Sequence, residues 1–356
     1  MLAETFPKAP SSALRLIIDR EALAGNWEAL DGLSGTKARA GAAVKADAYG
    51  CGVTVAVPVL RVAGCADFFV AHWGEAAAVL PFTAPGNIAV LHGPMNAADA
   101  AYARATGLRP VINSVQQARV WLEAGGGVCD LMLDTGMNRL GLPLDMLGNE
   151  SIAQLDIDVL MSHLASADED VAQNEVQRTR WQAAKAHVPH RRSSLANSAG
   201  IALGAAYHGE LTRPGLALYG GVPRAELAGH IRQVARPQAA LIQTRMLQTG
   251  DKVGYNATFT ATYVMRIGVI ALGYADGYLR CWSGNGAAGG AMFTDDKRLP
   301  VLGRVSMDMT VIDLSSAPEL KEGDWVEVDY DLPLAAQKSG LSQYELLTLL
   351  GRRFAR

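Results

Sequence analysis

Cysteine is scarce in this chain, and the four present (Cys51, Cys65, Cys129 and Cys281) lie far apart. No two have the close spacing of a zinc knuckle or a redox CxxC, so they read as isolated thiols of a reducing compartment. Charge is thin too, at 19% of residues against 49% hydrophobic, with a net charge of -3 and no runs of lysine or arginine. Nucleic acid and anionic membrane surfaces therefore find no basic patch to bind, and the apolar mass is too large for disorder. No uncharged apolar run is long enough to span a bilayer, and the opening stretch MLAETFPKAPSSALRLIIDR has no apolar h-region. These absences predict a soluble, cytoplasmic protein without a bound metal.

What is present is an alternation. The length of 356 residues suits two domains, or one large barrel with an appendage. Short β-rich runs occupy Arg39–Lys45, Ala66–Ala71, Asn87–Leu91, Arg109–Asn113, Cys129–Asp134, Ile157–His163, Ser193–Ala196 and Leu211–Tyr219. Helical spacing or strong helix formers fill segments between them, such as Ser114–Ala124 and Asp170–His187. Eight strand–helix units in a row predict a (β/α)8 TIM-like barrel over residues 1–232. From residue 233 to 356 the pattern becomes β-leaning, with runs Pro237–Leu247, Val264–Leu272, Val305–Leu314 and Trp325–Tyr330 joined by Gly/Asp turns. The fold class expected is therefore α/β, a barrel followed by a mostly β domain. The glycine-rich stretch Ser283–Gly290 reads as a long hairpin or surface loop.

Catalytic groups of a barrel gather where strands end and the next loops begin. The unusual polar residues fall there: Lys45 at the end of the first strand run, Asp134 and Arg139 after the fifth, His163 at the end of the sixth, Asn197 and Ser198 after the seventh, Arg213 in the eighth. A lysine ending an apolar strand is costly to bury unless paired or neutralised, and a Schiff base with an aldehyde cofactor does the latter. Tyr49 and the glycines just beyond it open a helix, a suitable neighbour for a phosphate. On this stretch alone, a lysine reaching along the strand end to solvent is an equal alternative.

The stretch VKADAYGCG resembles the pyridoxal-phosphate lysine motif of the alanine racemases. Further matches follow in family order: LDTGMNRLGL (133–142), SHLASAD (162–168), LANSAG (195–200), RPGLALYG (213–220), GYNATFTA (254–261), LGYADGYLR (272–280) and GRVSMDMTVIDL (303–314). The resemblance covers nearly the whole chain. It implies Lys45 as the Schiff-base lysine, with Tyr49, Ser198 and the N–H groups of Gly215 and Leu216 on the phosphate, and Asn197 beside them. Arg213 would face the pyridine nitrogen; an arginine only donates, so that nitrogen would stay unprotonated. Arg139 would bond the cofactor's phenolic oxygen and orient the substrate carboxylate, and His163 would relay a hydrogen bond between Arg213 and Tyr255.

Tyr255 is the second base the resemblance implies, opposite Lys45, since racemisation needs one proton-transfer group on each face of the substrate carbon. A tyrosine has an ordinary pKa of ~10, so it needs nearby positive charge to act as a base. Met307 would offer its N–H to the substrate carboxylate, and Tyr274 would narrow the entrance. Family members form homodimers in which one subunit's β domain caps the other's barrel. Two departures stand out: Met132 replaces a carbamylated lysine that braces the arginine, with Asn138 as a substitute brace, and Gly351–Phe354 stands where some members carry a phosphate-binding tyrosine beyond Tyr344. His72 and His92 also end strand runs and read as structural, and Asp308 has no role assigned. The expected activity is interconversion of L- and D-alanine, for cell-wall peptidoglycan or for catabolism. A racemase of another small amino acid such as serine, or a non-catalytic pyridoxal-phosphate protein, is the alternative. A metal-dependent D-threonine aldolase or D-serine dehydratase would need a His/Cys pair near the C-terminus that the sequence lacks.

Overall fold

The computed structural model describes residues 10–285 and 289–356, which divide into two compact units: residues 19–234, and residues 10–18 with 235–356.

In the first unit, seven segments form one parallel sheet in the order Arg192–Ser194, Asp156–Met161, Val128–Asp134, Arg109–Ile112, Ile88–Val90, Phe68–Val70 and Ala42–Ala43. The middle strands are buried along their whole length, as parallel strands covered on both faces must be. The eighth strand, Leu211–Thr212, pairs with Arg39–Ala40, one residue before Gly41. A Cβ on Gly41 would lie 2.9 Å from the Asp67 carbonyl oxygen, so the chain can bend there and serve both neighbours. The Arg213 N–H donates to the Ala196 carbonyl at 2.8 Å, which links the eighth segment to the seventh and completes the barrel. All eight expected strands exist, but Leu211–Tyr219 is extended only at 211–212 and then turns into a 3-10 segment, Leu216–Tyr219.

Helices cover this sheet for local reasons. Arg20–Leu33 starts at Asp19, whose carboxylate accepts the Ala22 N–H at 2.8 Å. It buries Leu23, Trp27 and Leu30, and the Trp27 indole donates to the Ala40 carbonyl. Val115–Glu123 is capped by Ser114, inside the stretch expected to be helical, and Ala172–Lys185 matches the other. At the beginnings of the strands lies an ionic cluster: Arg109 contacts Asp67 (3.1 Å), Asp130 (2.9 Å) and Asp158 (3.2 Å), and Arg192 contacts Asp67 and Asp158.

The second unit is an antiparallel sheet built on the long strand Ala235–Leu247, which pairs with Met265–Ile270, Trp325–Val328 and Leu14–Ile18. Leu14–Ile18 comes from the start of the chain, so the division falls at Ile18/Asp19 and Val234/Ala235, whereas the expected single boundary lay between 232 and 233. Lys297–Gly303 and Ala291–Thr294 were not expected; Thr310–Asp313 is the extended part of the 305–314 run. Gly284–Asn285 pairs with Leu302 and Gly303, and the rest of the glycine-rich stretch, 286–288, lies outside the described residues. No helix among the described residues is long and apolar enough to cross a membrane.

Candidate active site

The first strand ends at Ala43, and Lys45 is followed by a turn of unusual hand. Ala46, Asp47, Ala48 and Tyr49 all have φ between 52° and 55°, so the helix expected to open at Tyr49 begins instead at Val53. For residues with a Cβ this left-handed conformation costs about 1–2 kcal/mol each. Hydrogen bonds hold it: Ala48 N–H to Val44 O, Gly52 N–H to Asp47 O, and Val53 N–H to the Asp47 carboxylate at 2.8 Å. A carboxylate absent from the sequence reading, Glu75, accepts the N–H groups of Ala46 and Ala71, both at 2.7 Å. The signal for it was only its place, four residues past the end of a barrel strand.

The turn carries Tyr49 inward. Its ring stacks on Tyr219, with centroids 4.9 Å apart. A Cβ on Gly215 would lie 2.2 Å from the Tyr49 hydroxyl, so only glycine admits that hydroxyl. The Ser198 hydroxyl accepts the N–H of Gly215 (2.9 Å) and of Ala217 (3.2 Å), and Leu216 follows at the start of its 3-10 segment. Asn197 caps the short helix Ser198–Ala202 by accepting the Gly200 N–H at 2.8 Å. Tyr49, Ser198, Gly215 and Leu216 thus form one corner of the barrel rim.

Arg213 is buried, 7% exposed. Its guanidinium donates to the Ser194 hydroxyl and, at 2.5 Å, to the Ser162 carbonyl. No carboxylate among the described residues pairs with it, and burial pulls its pKa down to about 10, which still leaves it charged at neutral pH. His163, the next residue after Ser162, is pushed down to about 3 by burial and by the charges of Arg213, Arg139 and Lys45, so its ring is neutral. Burial and the charge of Arg139 also lower the Lys45 pKa, and Glu75 opposes them. His163 thus lies within electrostatic reach of Lys45, Arg139 and Arg213.

Arg139 itself is exposed, in a loop whose Gly136, Met137 and Asn138 N–H groups all donate to the Asp134 carboxylate. Asn138 has φ 54° and is exposed, and no hydrogen bond from its side chain to Arg139 exists among the described residues, so the expected brace is not formed. Met132 is buried in its strand. His72 caps the helix Trp73–Val79, its Nδ1 accepting the Glu75 N–H at 3.4 Å, while the carbonyl of His92 accepts the Gln117 side chain. Both are structural contacts.

In the second unit, Tyr255, Tyr274 and Met307 lie on neighbouring loops. The Tyr274 N–H donates to the Ser306 carbonyl and the Ala275 N–H to the Met307 carbonyl, both at 3.0 Å. Gly273 permits this, since a Cβ there would lie 2.2 Å from the Met307 oxygen. Tyr255 is 66% exposed and Met307 53%. The Arg280 guanidinium stacks over the Tyr274 ring at 5.0 Å. Asp308 pairs with Arg353 at 2.7 Å, and the same guanidinium pairs with buried Asp276. Phe354 is buried, and Tyr344 lies exposed on the helix Gln343–Leu349. Among the described residues no cluster of three His, Cys, Asp or Glu is arranged for a metal.

The barrel residues fit an aldehyde cofactor carrying a phosphate. A desolvated lysine suits imine formation, a buried arginine without a carboxylate has donors to offer, and the Tyr49–Gly215–Ser198 corner is rich in hydroxyl and N–H groups. Residues 18–223 match the family model "Alanine racemase, N-terminal domain" and residues 234–356 match "Alanine racemase, C-terminal domain". A catabolic alanine racemase of Agrobacterium fabrum is 41% identical, over 96% of this chain and 91% of the relative. The alanine racemase of Bartonella henselae with covalently bound pyridoxal phosphate superposes with a TM-score of 0.85 at 31% identity, covering 98% of this chain and 99% of that one. The biosynthetic alanine racemase of Pseudomonas aeruginosa gives 0.81 at 32% identity, over 98% and 99%. Matched in both its parts, the chain belongs to the alanine racemase family.

Proposed function

We propose that the protein is a pyridoxal-phosphate-dependent alanine racemase, an isomerase interconverting L- and D-alanine, with Lys45 and Tyr255 as its two proton-transfer groups. The observation that carries this is the Tyr49–Gly215–Ser198 corner two residues beyond buried Arg213, with Lys45 and Arg139 in electrostatic reach of His163. The cofactor, when bound, withdraws electrons from the substrate carbon and so makes its hydrogen acidic.

The residues do the rest. Tyr49, Ser198 and the N–H groups of Gly215 and Leu216 hold the phosphate, with Asn197 fixing the helix that presents Ser198. Arg213 would donate a hydrogen bond to the pyridine nitrogen and, keeping its own proton, would leave that nitrogen unprotonated. This weakens electron withdrawal and favours return of the proton to the substrate carbon. Arg139, Met307 and Tyr274 orient the substrate carboxylate and narrow its entrance. Lys45 Nζ moves the proton on the D-alanine face, and the Tyr255 hydroxyl on the L-alanine face. Neutral His163 relays a hydrogen bond from Arg213 towards Tyr255.

Two-fold homodimers with shared sites are part of this reading. The exposed Tyr255, Tyr263, Val264, Met307 and Met309 of the second unit support it as apolar surface suited to a second copy. All four cysteines are free thiols, which supports a reducing cytoplasmic setting. The reaction would serve cell-wall peptidoglycan, by supplying D-alanine, or alanine catabolism.

Borohydride reduction of the yellow protein followed by peptide mapping tests the assignment, together with racemisation assays over a panel of L-amino acids. The label should sit on Lys45 and alanine should turn over fastest. A colourless protein that gains neither colour nor activity with added pyridoxal phosphate would refute the reading, and faster turnover of serine would move it to another racemase.

A further inference from the structure

Glu75 lies in the first turn of Trp73–Val79, and its two carboxylate oxygens divide between two strands' ends. One takes the N–H of Ala46, the residue after Lys45, and the other takes that of Ala71, just past the strand Phe68–Val70, both at 2.7 Å. The Ala46 peptide is the entry to the left-handed run that ends at Tyr49. That run separates the lysine from the hydroxyl lying over Gly215, so an error in its first peptide plane is carried into both ends of the site.

Glu75 is also an anion in a cationic setting. Lys45 faces Arg139 and Glu75, and His163 feels Arg213, Arg139 and Lys45 together. His72 Nε2 lies 3.8 Å from the Glu75 carboxylate oxygen that takes the Ala46 N–H. Removing Glu75 would remove the negative charge that opposes the effect of Arg139 on Lys45.

We propose that Glu75 is a positioning residue for the lysine end of the site, fixing the peptide that follows Lys45 and keeping a negative charge beside the lysine against Arg139. The proposal rests on Lys45 being the cofactor lysine. An amide at position 75 keeps one acceptor oxygen but turns an NH2 group towards the second N–H, so it loses one of the two bonds and the whole charge.

The test uses cofactor-free full-length protein, with the pH dependence of Lys45 acetylation read by mass spectrometry of its peptide. Glu75→Gln should lower the midpoint by about one pH unit, because loss of a nearby anion disfavours the ammonium form. Amide hydrogen exchange at Ala46 or Ala71 should quicken as well. Faster exchange with an unmoved midpoint would leave Glu75 an ordinary structural residue and overturn the proposal. Should Glu75→Gln fail to fold, exchange in the wild-type protein decides: protection at both Ala46 and Ala71 supports the clamp, and an unprotected Ala46 overturns it. Borohydride labelling of the loaded wild type reports on Lys45 separately, so failure of that assignment is distinguishable from failure of this one.

Discussion

Arg213 shows how a single side chain's surroundings define its chemistry. A buried guanidinium normally has a carboxylate partner, because an unpaired buried charge is expensive. Here its nearest partners are a serine hydroxyl and a backbone carbonyl, and Asp130 acts on it only through space. Donors therefore remain for a ligand atom that must accept. Replacing it by glutamate puts a group there that can share a proton with the pyridine nitrogen. Racemisation by Arg213→Glu should fall at least about tenfold, equivalent to ~1.4 kcal/mol of lost transition-state stabilisation. A long-wavelength absorption band and slow transamination should appear with alanine. Loss of activity with neither signature would mean that Arg213 acts structurally.

Among the elements, the strand beginnings and strand ends have divided the ionisable residues between them. The ends carry Lys45, Arg139, His163 and Arg213, whereas the beginnings carry three aspartates bound by Arg109 and Arg192. Within that cluster Asp130 is fully buried, and burial raises its pKa to about 6 even beside Arg109. An unfolded aspartate has a value of ~3.9. The native state thus binds this proton more tightly than the unfolded one. The stability it contributes is present below about pH 4 and lost as pH rises through about 6. Asp130→Asn cannot titrate, so the stability of wild type relative to this variant should decline between about pH 4 and 6. Urea midpoints measured across that window check it, and a flat or rising difference would contradict the assignment. None of this was visible as pattern: Asp67, Asp130 and Asp158 are scattered acids in sequence, and only closure of the sheet brings them to one arginine.

For the whole molecule, the question is which copies of Lys45 and Tyr255 work together. In the proposed dimer each site takes Lys45 from one subunit and Tyr255 from the other. Lys45→Ala and Tyr255→Phe, each nearly inactive alone, should then complement. Refolded together in equal amounts they give about half heterodimers, each with one intact site, and so roughly a quarter of wild-type activity. A dimeric, cofactor-loaded mixture that stays inactive would show that the two residues meet within one chain.

Much of this protein can be read without coordinates. Strand existence follows from short apolar runs, and the site motifs survive as local strings because loops after barrel strands hold their residues close together. Lys45, Tyr49, Arg139, His163 and Arg213 are proposed that way, each from the motif that holds it. What local patterns cannot carry is anything set by a partner far along the chain. Leu14–Ile18 joins the second unit because its backbone pairs with Ala235–Ala239, more than two hundred residues on. The left-handed run from Ala46 to Tyr49 contradicts the preference of its two alanines and its tyrosine, and it stands because Asp47, Glu75 and the surrounding backbone bonds outweigh that preference. The amino-acid sequence by itself determined which motifs carry the candidate residues. Only the tertiary structure decided their charge states and the peptide geometry that presents them, since burial and long-range hydrogen bonds exist only once the chain has closed on itself.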